Sequence, residues 1–271
     1  MENKIKQGST HTFPLPPKNN NKPSFKKWIK YIWTGLAAIV LGIAFLFFAI
    51  SQGFLGDMPE VQELENPDIY VASEIISSDG VQLGKFEKEK TIPITYKDLP
   101  QHLIYALQAK EDERFREHSG IDMKSIARAI RYGGARGGGS TITQQLAKLL
   151  FTGNASQNKI QRAFQKLKEW VVAVSLEKRY TKEEIVTLYF NKFDFLHNAN
   201  GIELASKIYF NKSAKDLNLS EAATFVAMLE NPRRNNPIRY MDRAIKRRNV
   251  VLDQMLETGY IDQATHDKVV E

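Results

Sequence analysis

The sequence predicts a mainly α-helical protein preceded by one transmembrane helix. Three observations predict it. Residues 31–56 contain no charged side chain. Beyond Asp98, apolar residues recur every three or four positions, the period of an amphipathic helix. Strands are signalled only by two β-rich runs on either side of an Asp-Gly pair.

Composition narrows the possibilities. The chain has 271 residues, 42% hydrophobic and 25% charged, which is globular and excludes collagen, wholesale disorder and a polytopic membrane protein. It has no cysteine, so disulfides, thiolate zinc sites and a cysteine nucleophile are excluded. The net charge is +7, but residues 1–30 hold seven lysines against one acid. The rest of the chain is close to neutral, and nucleic acid is not an expected partner.

Residues 1–30, with PLPP and KNNNKP and no apolar periodicity, read as a disordered basic cytoplasmic tail. Its charge suits anionic lipid heads. Residues 31–56 read as the transmembrane anchor, because a spanning helix needs about 20 mostly apolar residues. Trp28, Tyr31 and Trp33 fit the headgroup layer at its start. Lysines precede the span, and Asp57, Glu60 and Glu63 follow it. The positive-inside bias then puts the N-terminus in the cytoplasm and everything after Gly56 outside the inner membrane. Ala49-Ile50-Ser51 resembles a signal cleavage site, but the apolar run is longer than a signal core, so the expectation is a retained anchor.

Residues 57–96 read as a polar stalk followed by a β-hairpin. Its strands lie in 70–76 and 81–86, around Ser77-Ser78-Asp79-Gly80, with 91–94 as an extension. Residues 97–271 form the helical domain. Leu103, Ala106 and Leu107 mark its first helix, and Asp122 is the N-cap of MKSIARAIRY. Ser140 is placed to cap TITQQLAKLLF. The longest helix of the domain covers about residues 157–180, with an apolar stripe of Ile160, Phe164, Leu167, Val171 and Val174. Thr181 and Glu184 form a capping box for the next helix. Further helices follow Ser220, lie near Met241 and follow Asp262.

Three clusters carry candidate chemistry. In EDERFREHSG, four acids, two arginines and His118 crowd a helix end. A ring such as Phe115 can hold Glu111 in a drier pocket, where burial raises a carboxylate toward the range useful for proton transfer. In GGARGGGSTITQQLAK, five glycines lead into a helix start, the arrangement that lets backbone N–H groups approach an anion. It lacks the Lys-Ser/Thr ending and preceding strand of a nucleotide P-loop. Thr141, Gln144, Gln145 and Lys148 there sit on neighbouring turns, and the glycines are the best hinge in the chain. On the long helix, Lys159, Arg162, Lys166 and Glu169 share a face flanked by Lys168, a cationic groove for a phosphate leaving group with a carboxylate set in it. Taken singly, each cluster also reads as a solvated charged face or a flexible loop.

Together, EDERFREHSG, GGGSTITQQLAK, KLKE, KRYTKEEIVTLYFN and GIELASKIYFNKSAKDLNLSEAATFVAML followed by NPRRNNP resemble, in order, the five motif regions of glycosyltransferase family 51, the peptidoglycan glycosyltransferases. The likeness covers about residues 70–271. It implies a two-lobed, lysozyme-like helical domain that polymerises lipid II into β-1,4-linked glycan strands by inverting transfer, releasing polyprenyl pyrophosphate. It implies Glu111 as the catalytic base and Glu169 as the second glutamate. Lys148 and Lys166 become phosphate contacts, supported by Ser140, Gln144 and Arg162, while Thr141, Gln145, Phe115 and His118 shape the site. A divalent cation, magnesium or manganese, is implied beside Glu111. Lipid II, the growing glycan strand, the membrane and cell-wall assembly proteins are the implied partners.

Gln161 and Gln165 stand where the family has arginine, and NKFDFLHNANG departs from the family's aromatic-glycine pattern, which alters the donor-side groove. Lys-Ser/Thr-Gly is absent, so no transpeptidase site is expected. The chain fits either a monofunctional enzyme or the front of a class A penicillin-binding protein. A lytic hydrolase of the same fold and a catalytically silent wall scaffold are the alternative readings.

Overall fold

The computed structural model describes residues 25–54, 73–79, 82–86, 91–133, 138–153 and 156–270. The tail up to residue 24, the stalk at 57–67 and glycines 134 and 137 of the hinge lie outside the described residues. Two compact units are present, one ending at Leu46 and the other starting at Phe47.

Helix α1 spans Phe25–Ser51, 27 residues. Its stretch Lys27–Ser51 is long and apolar enough to cross a membrane. The anchor was expected at 31–56, but the helix starts inside the supposed tail and ends at Ser51. The apolar run continues, yet residues 52–54 form a turn in which Gly53 has a positive φ of 77°. Side chains such as Leu41 and Phe45 are about 70% exposed, the pattern of a helix whose apolar surface is not consumed by a protein core.

The hairpin forms as read. Strands β1 (Ser73–Ile76) and β2 (Gln82–Phe86) pair antiparallel, with a register shift between Ile75 and Ile76. Residues 91–94 do not extend it. Thr91 makes only a single bridge, to Asn200, and buried Asn191 closes both backbone groups of Ile94 with its side-chain amide.

The remaining helices are α2 (Gln101–Glu111), α3 (Met123–Arg131), α4 (Ile142–Ala147), α5 (Lys159–Glu177), α6 (Lys182–Lys192), α7 (Ile202–Phe210), α8 (Leu219–Glu230), α9 (Met241–Glu257) and α10 (Gln263–Val270). The capping signals explain most starts. The Asp122 carboxylate accepts from the amides of Lys124 and Ser125 at the head of α3. Thr181 and Glu184 close a full capping box on α6. Two starts differ from expectation. Thr141, not Ser140, caps α4 by accepting from Gln144 N, which leaves the Ser140 hydroxyl free for another partner. Asn218, not Ser220, caps α8 in a capping box with Glu221.

The helices form two packing groups. In one, α2 lies against α8 and α9; in the other, α4 lies against α5 and α6. A shared core of Leu103, Leu107, Phe115, Leu146, Leu176, Phe190, Phe225 and Leu252 runs beneath both. Helix α5 does not bury the stripe read from its sequence. Ile160 is 69% and Phe164 38% exposed, while Glu169, Val172, Ala173 and Leu176 face inward. Apolar spacing marks a face, but the residues one position round contact α4.

Gly120 joins the groups. Its φ is +90°, and a Cβ there would sit 2.9 Å from the Ala173 backbone of α5, so no larger residue fits. Its carbonyl accepts from the Thr141 hydroxyl at 2.7 Å and from Gln144 Nε2 at 3.4 Å.

Candidate active site

Glu111 is the last residue of α2, half-buried, where the two packing groups meet. It forms part of the wall between two cavities. The larger, about 730 Å³, is also lined by Gln145, Lys148, Lys159, Arg162, Lys166 and Glu169. The smaller, about 390 Å³, is lined on its far side by Glu113, Arg128 and Glu257. Lys110, Glu111, Gly138 and Ser140 border both.

The carboxylate is held by α4. Gln145 Nε2 donates to Glu111 Oε2 at 2.6 Å. Burial pushes the Glu111 carboxyl above the usual glutamate range; the Gln145 hydrogen bond and the Lys110 charge offset part of that rise, while Glu230 and Asp112 add to it.

The rest of the first motif is structural support. Asp112 accepts from both His118 Nε2, at 3.0 Å to each oxygen, and the Ile142 backbone N–H at 3.1 Å. It thereby ties the end of α2 to the start of α4. Phe115 is 1% exposed, with His118 edge-on to its ring and Lys182 Nζ 4.3 Å from its centre. Neither Phe115 nor His118 lines either cavity among the described residues, so both act on the site from behind. Thr141 is 1% exposed and Gln144 fully buried, and both donate to the Gly120 carbonyl, which leaves Gln144 Oε1 buried without a hydrogen-bond partner among the described residues.

Lys159, Arg162, Lys166 and Glu169 all line the larger cavity. Lys166 Nζ donates to Glu169 Oε2 and to Ser140 Oγ, each at 2.9 Å. Ser140 is therefore a partner of the groove lysine and not a helix cap. Lys148 is exposed and opens a π-helical turn, Lys148–Thr152, that shifts the chain by one residue as it leaves α4. Gln161 and Gln165 accept from the hydroxyl and the amide N–H of Ser156, both at 2.8 Å. As acceptors they fasten the loop before α5, a task arginine cannot perform.

The divalent cation fits poorly. Among the described residues no group of three or more His, Asp or Glu side chains is arranged to hold a metal. Asp112 is spent on His118 and Ile142, and Asp122 on Arg114, Ser125 and the α3 backbone. Glu113 and Glu257 border the smaller cavity with Glu111 but do not form such a group with it.

The sequence did not single out Tyr189, Lys110 or Glu230. Tyr189, on α6, lines the larger cavity and donates to Gln145 Oε1 at 2.9 Å. Glu230, at the end of α8, lies 3.9 Å from Lys110 Nζ and accepts from Arg247 at 3.4 Å. In the sequence, Tyr189 stands in an apolar run that reads as core, and Glu230 follows its partner by more than a hundred residues, so no local spacing marks either.

Comparison with known proteins matches residues 79–256 to the family described as Transglycosylase. The chain is 35% identical over 248 residues to penicillin-binding protein 1A of Pseudomonas aeruginosa, covering 90% of this chain and 29% of that protein. It is 38% identical over 197 residues to penicillin-binding protein 1F of Bacillus subtilis, covering 71% and 27%. Among solved structures, penicillin-binding protein 1A of Haemophilus influenzae aligns with a TM-score of 0.42 at 24% identity, over 75% of this chain and 21% of that one. The chain spans less than a third of the length of these relatives.

Proposed function

The chain belongs to the transglycosylase family, and from that membership we propose that it polymerises lipid II, a disaccharide-peptide on a polyprenyl pyrophosphate, into peptidoglycan glycan strands. The observation that carries this reading is Glu111. It is a half-buried carboxylate with a raised pKa, set between two cavities of which the larger is lined by five cationic side chains.

The reaction needs a base on one side and an anion hold on the other. Glu111 takes the proton from the acceptor sugar's 4-hydroxyl as that oxygen attacks the donor's anomeric carbon. The bond to pyrophosphate breaks through an oxocarbenium-like transition state, with inversion. Lys148, Lys159, Arg162 and Lys166 stabilise the charge that develops on the departing pyrophosphate. Glu169 restrains Lys166 by its 2.9 Å contact and keeps the ammonium aimed across the groove. A hydrolase of the same fold has no need of such a groove.

Helix α1 serves in this reading as a membrane anchor with the seven tail lysines on the cytoplasmic side, which holds the catalytic domain against a substrate that is itself in the bilayer. The test is incubation of the purified chain with labelled lipid II. Long glycan strands are expected. Cleavage of preformed strands without polymerisation would favour the hydrolase, and no product at all the scaffold.

A further inference from the structure

The larger cavity holds a buried hydroxyl that the chemistry above does not use. Tyr189 is 1% exposed, and its Oη donates to Gln145 Oε1, whose Nε2 in turn donates to Glu111 Oε2. The polarity of this chain is forced. An ionised carboxylate only accepts, so Gln145 must turn its NH₂ toward Glu111, which leaves the amide oxygen facing Tyr189 and in need of a donor. The phenol supplies that donor at every working pH, because burial and the adjacent Glu111 charge push its pKa well above the ordinary tyrosine value. An amide alone is free to flip end for end; an amide with a fixed donor on its oxygen is not.

We propose that Tyr189 is a positioning residue for Glu111, acting through Gln145 to lock the amide in the orientation that holds the carboxylate ionised and aimed into the cationic cavity. The inference rests on the reading of Glu111 as the base and deepens it. Without the Tyr189 hydroxyl, Gln145 can present its oxygen to Glu111, a contact that only the protonated acid satisfies. The pKa of Glu111 then rises. The other charges around Glu111 are Lys110 and Asp112 beside it in the chain, Glu230 from α8, and Lys148, Lys159, Arg162, Lys166 and Glu169 of the larger cavity. Glu113, Arg128 and Glu257 face it across the smaller one. None is altered by Tyr189→Phe, so a change in that variant reports the relay.

The experiment uses the full chain in detergent with glutamate labelled at the carboxyl carbon, the Glu111 resonance being assigned by its loss in Glu111→Gln. Titration of Tyr189→Phe is expected to show the Glu111 pKa raised by about one unit, a tenfold change in proton affinity. Gln145→Ala serves as the second variant, and adding Tyr189→Phe to it should shift Glu111 no further. The acid limb of kcat/KM for lipid II should move upward by the same amount, with activity recovering at higher pH. An unchanged Glu111 pKa, with activity lowered equally at all pH, would overturn the relay and leave Tyr189 a packing residue. A shifted pKa in a chain that never polymerises lipid II would uphold the relay and refute the proposed reaction instead.

Discussion

Lys166 Nζ lies 2.9 Å from Glu169 Oε2, one turn along the same helix, and both line the cavity that Glu111 overlooks. The pair sets a cation into the groove with its direction restrained, so its loss should be felt by an anionic leaving group.

Lys166→Ala is therefore expected to lower kcat/KM for lipid II much more than Lys178→Ala, an exposed lysine at the end of α5. Loss of one charge-assisted contact corresponds to about 1.5–3 kcal/mol. Steady-state kinetics on the two variants provides the check, and equal small effects would make the stripe an ordinary solvated face.

Lys182 looks, by sequence, like a neutral comparison for Lys166, but the structure gives it structural work. Its Nζ donates to the His118 carbonyl at 2.7 Å and to Glu177 Oε1 at 2.8 Å. Glu177 keeps only 6% of its side chain exposed, so Lys182→Met removes the cation from a buried carboxylate that keeps the Thr143 hydroxyl, 2.6 Å away, as a donor. A stability loss of about 1.5–3 kcal/mol is expected in denaturant unfolding.

Much of this was legible from local chemistry. Asp122, Thr181 and Glu184 announce helix starts because capping is decided within four residues. Motif order singles out the glutamate, glutamine and lysine positions that line the larger cavity. What depended on tertiary contacts was not. Ser140 and Thr141 are both capable caps, and only the position of Lys166 decides which is used. The Ile160 and Phe164 stripe has the right period but lies away from the core, and periodicity does not say what covers a face. Nothing in NKFDFLHNANG predicts that Leu196, His197 and Asn198 all take positive φ, 67°, 56° and 60°.

That left-handed run has a measurable cost. A non-glycine residue in this region is strained by about 1–2 kcal/mol, least for asparagine. His197 is exposed, so His197→Gly is expected to raise the melting temperature while His197→Ala does not. A lower melting temperature for the glycine variant would mean that the His197 ring, 6.1 Å from Tyr209, contributes more than the strain costs.

Acid stability should report Asp122. Burial would raise its pKa, but Ser125, by hydroxyl and backbone, and then Arg114 outweigh it and hold the carboxyl at about 2. A depressed value stabilises the fold above the unfolded pKa of about 3.9 and is lost as pH falls toward 2. Asp122→Ala is expected to cost about 1–2 kcal/mol at neutral pH through the lost cap, and to flatten stability between pH 4 and 2.

Glu111 has the opposite sign. A raised folded pKa means stability is fully present below the ordinary value of about 4.3 and falls as pH rises through the folded value. At pH 7 the protein carries the cost of a half-buried charge, which Glu111→Gln removes. The variant's melting temperature should exceed the wild type's at pH 7, and the gap should close below about pH 4.

The same substitution, assayed for lipid II polymerisation, tests the central claim most directly. Glutamine keeps the size and hydrogen-bonding oxygen of Glu111 but cannot accept the acceptor's proton. Loss of a general base lowers the rate by about 10²–10⁴-fold. Folded Glu111→Gln is expected to bind lipid II and make no long strands, while Glu117→Gln, whose side chain is 64% exposed in the same charge cluster, remains active. Long glycan strands from Glu111→Gln would contradict the claim and move the base to another residue.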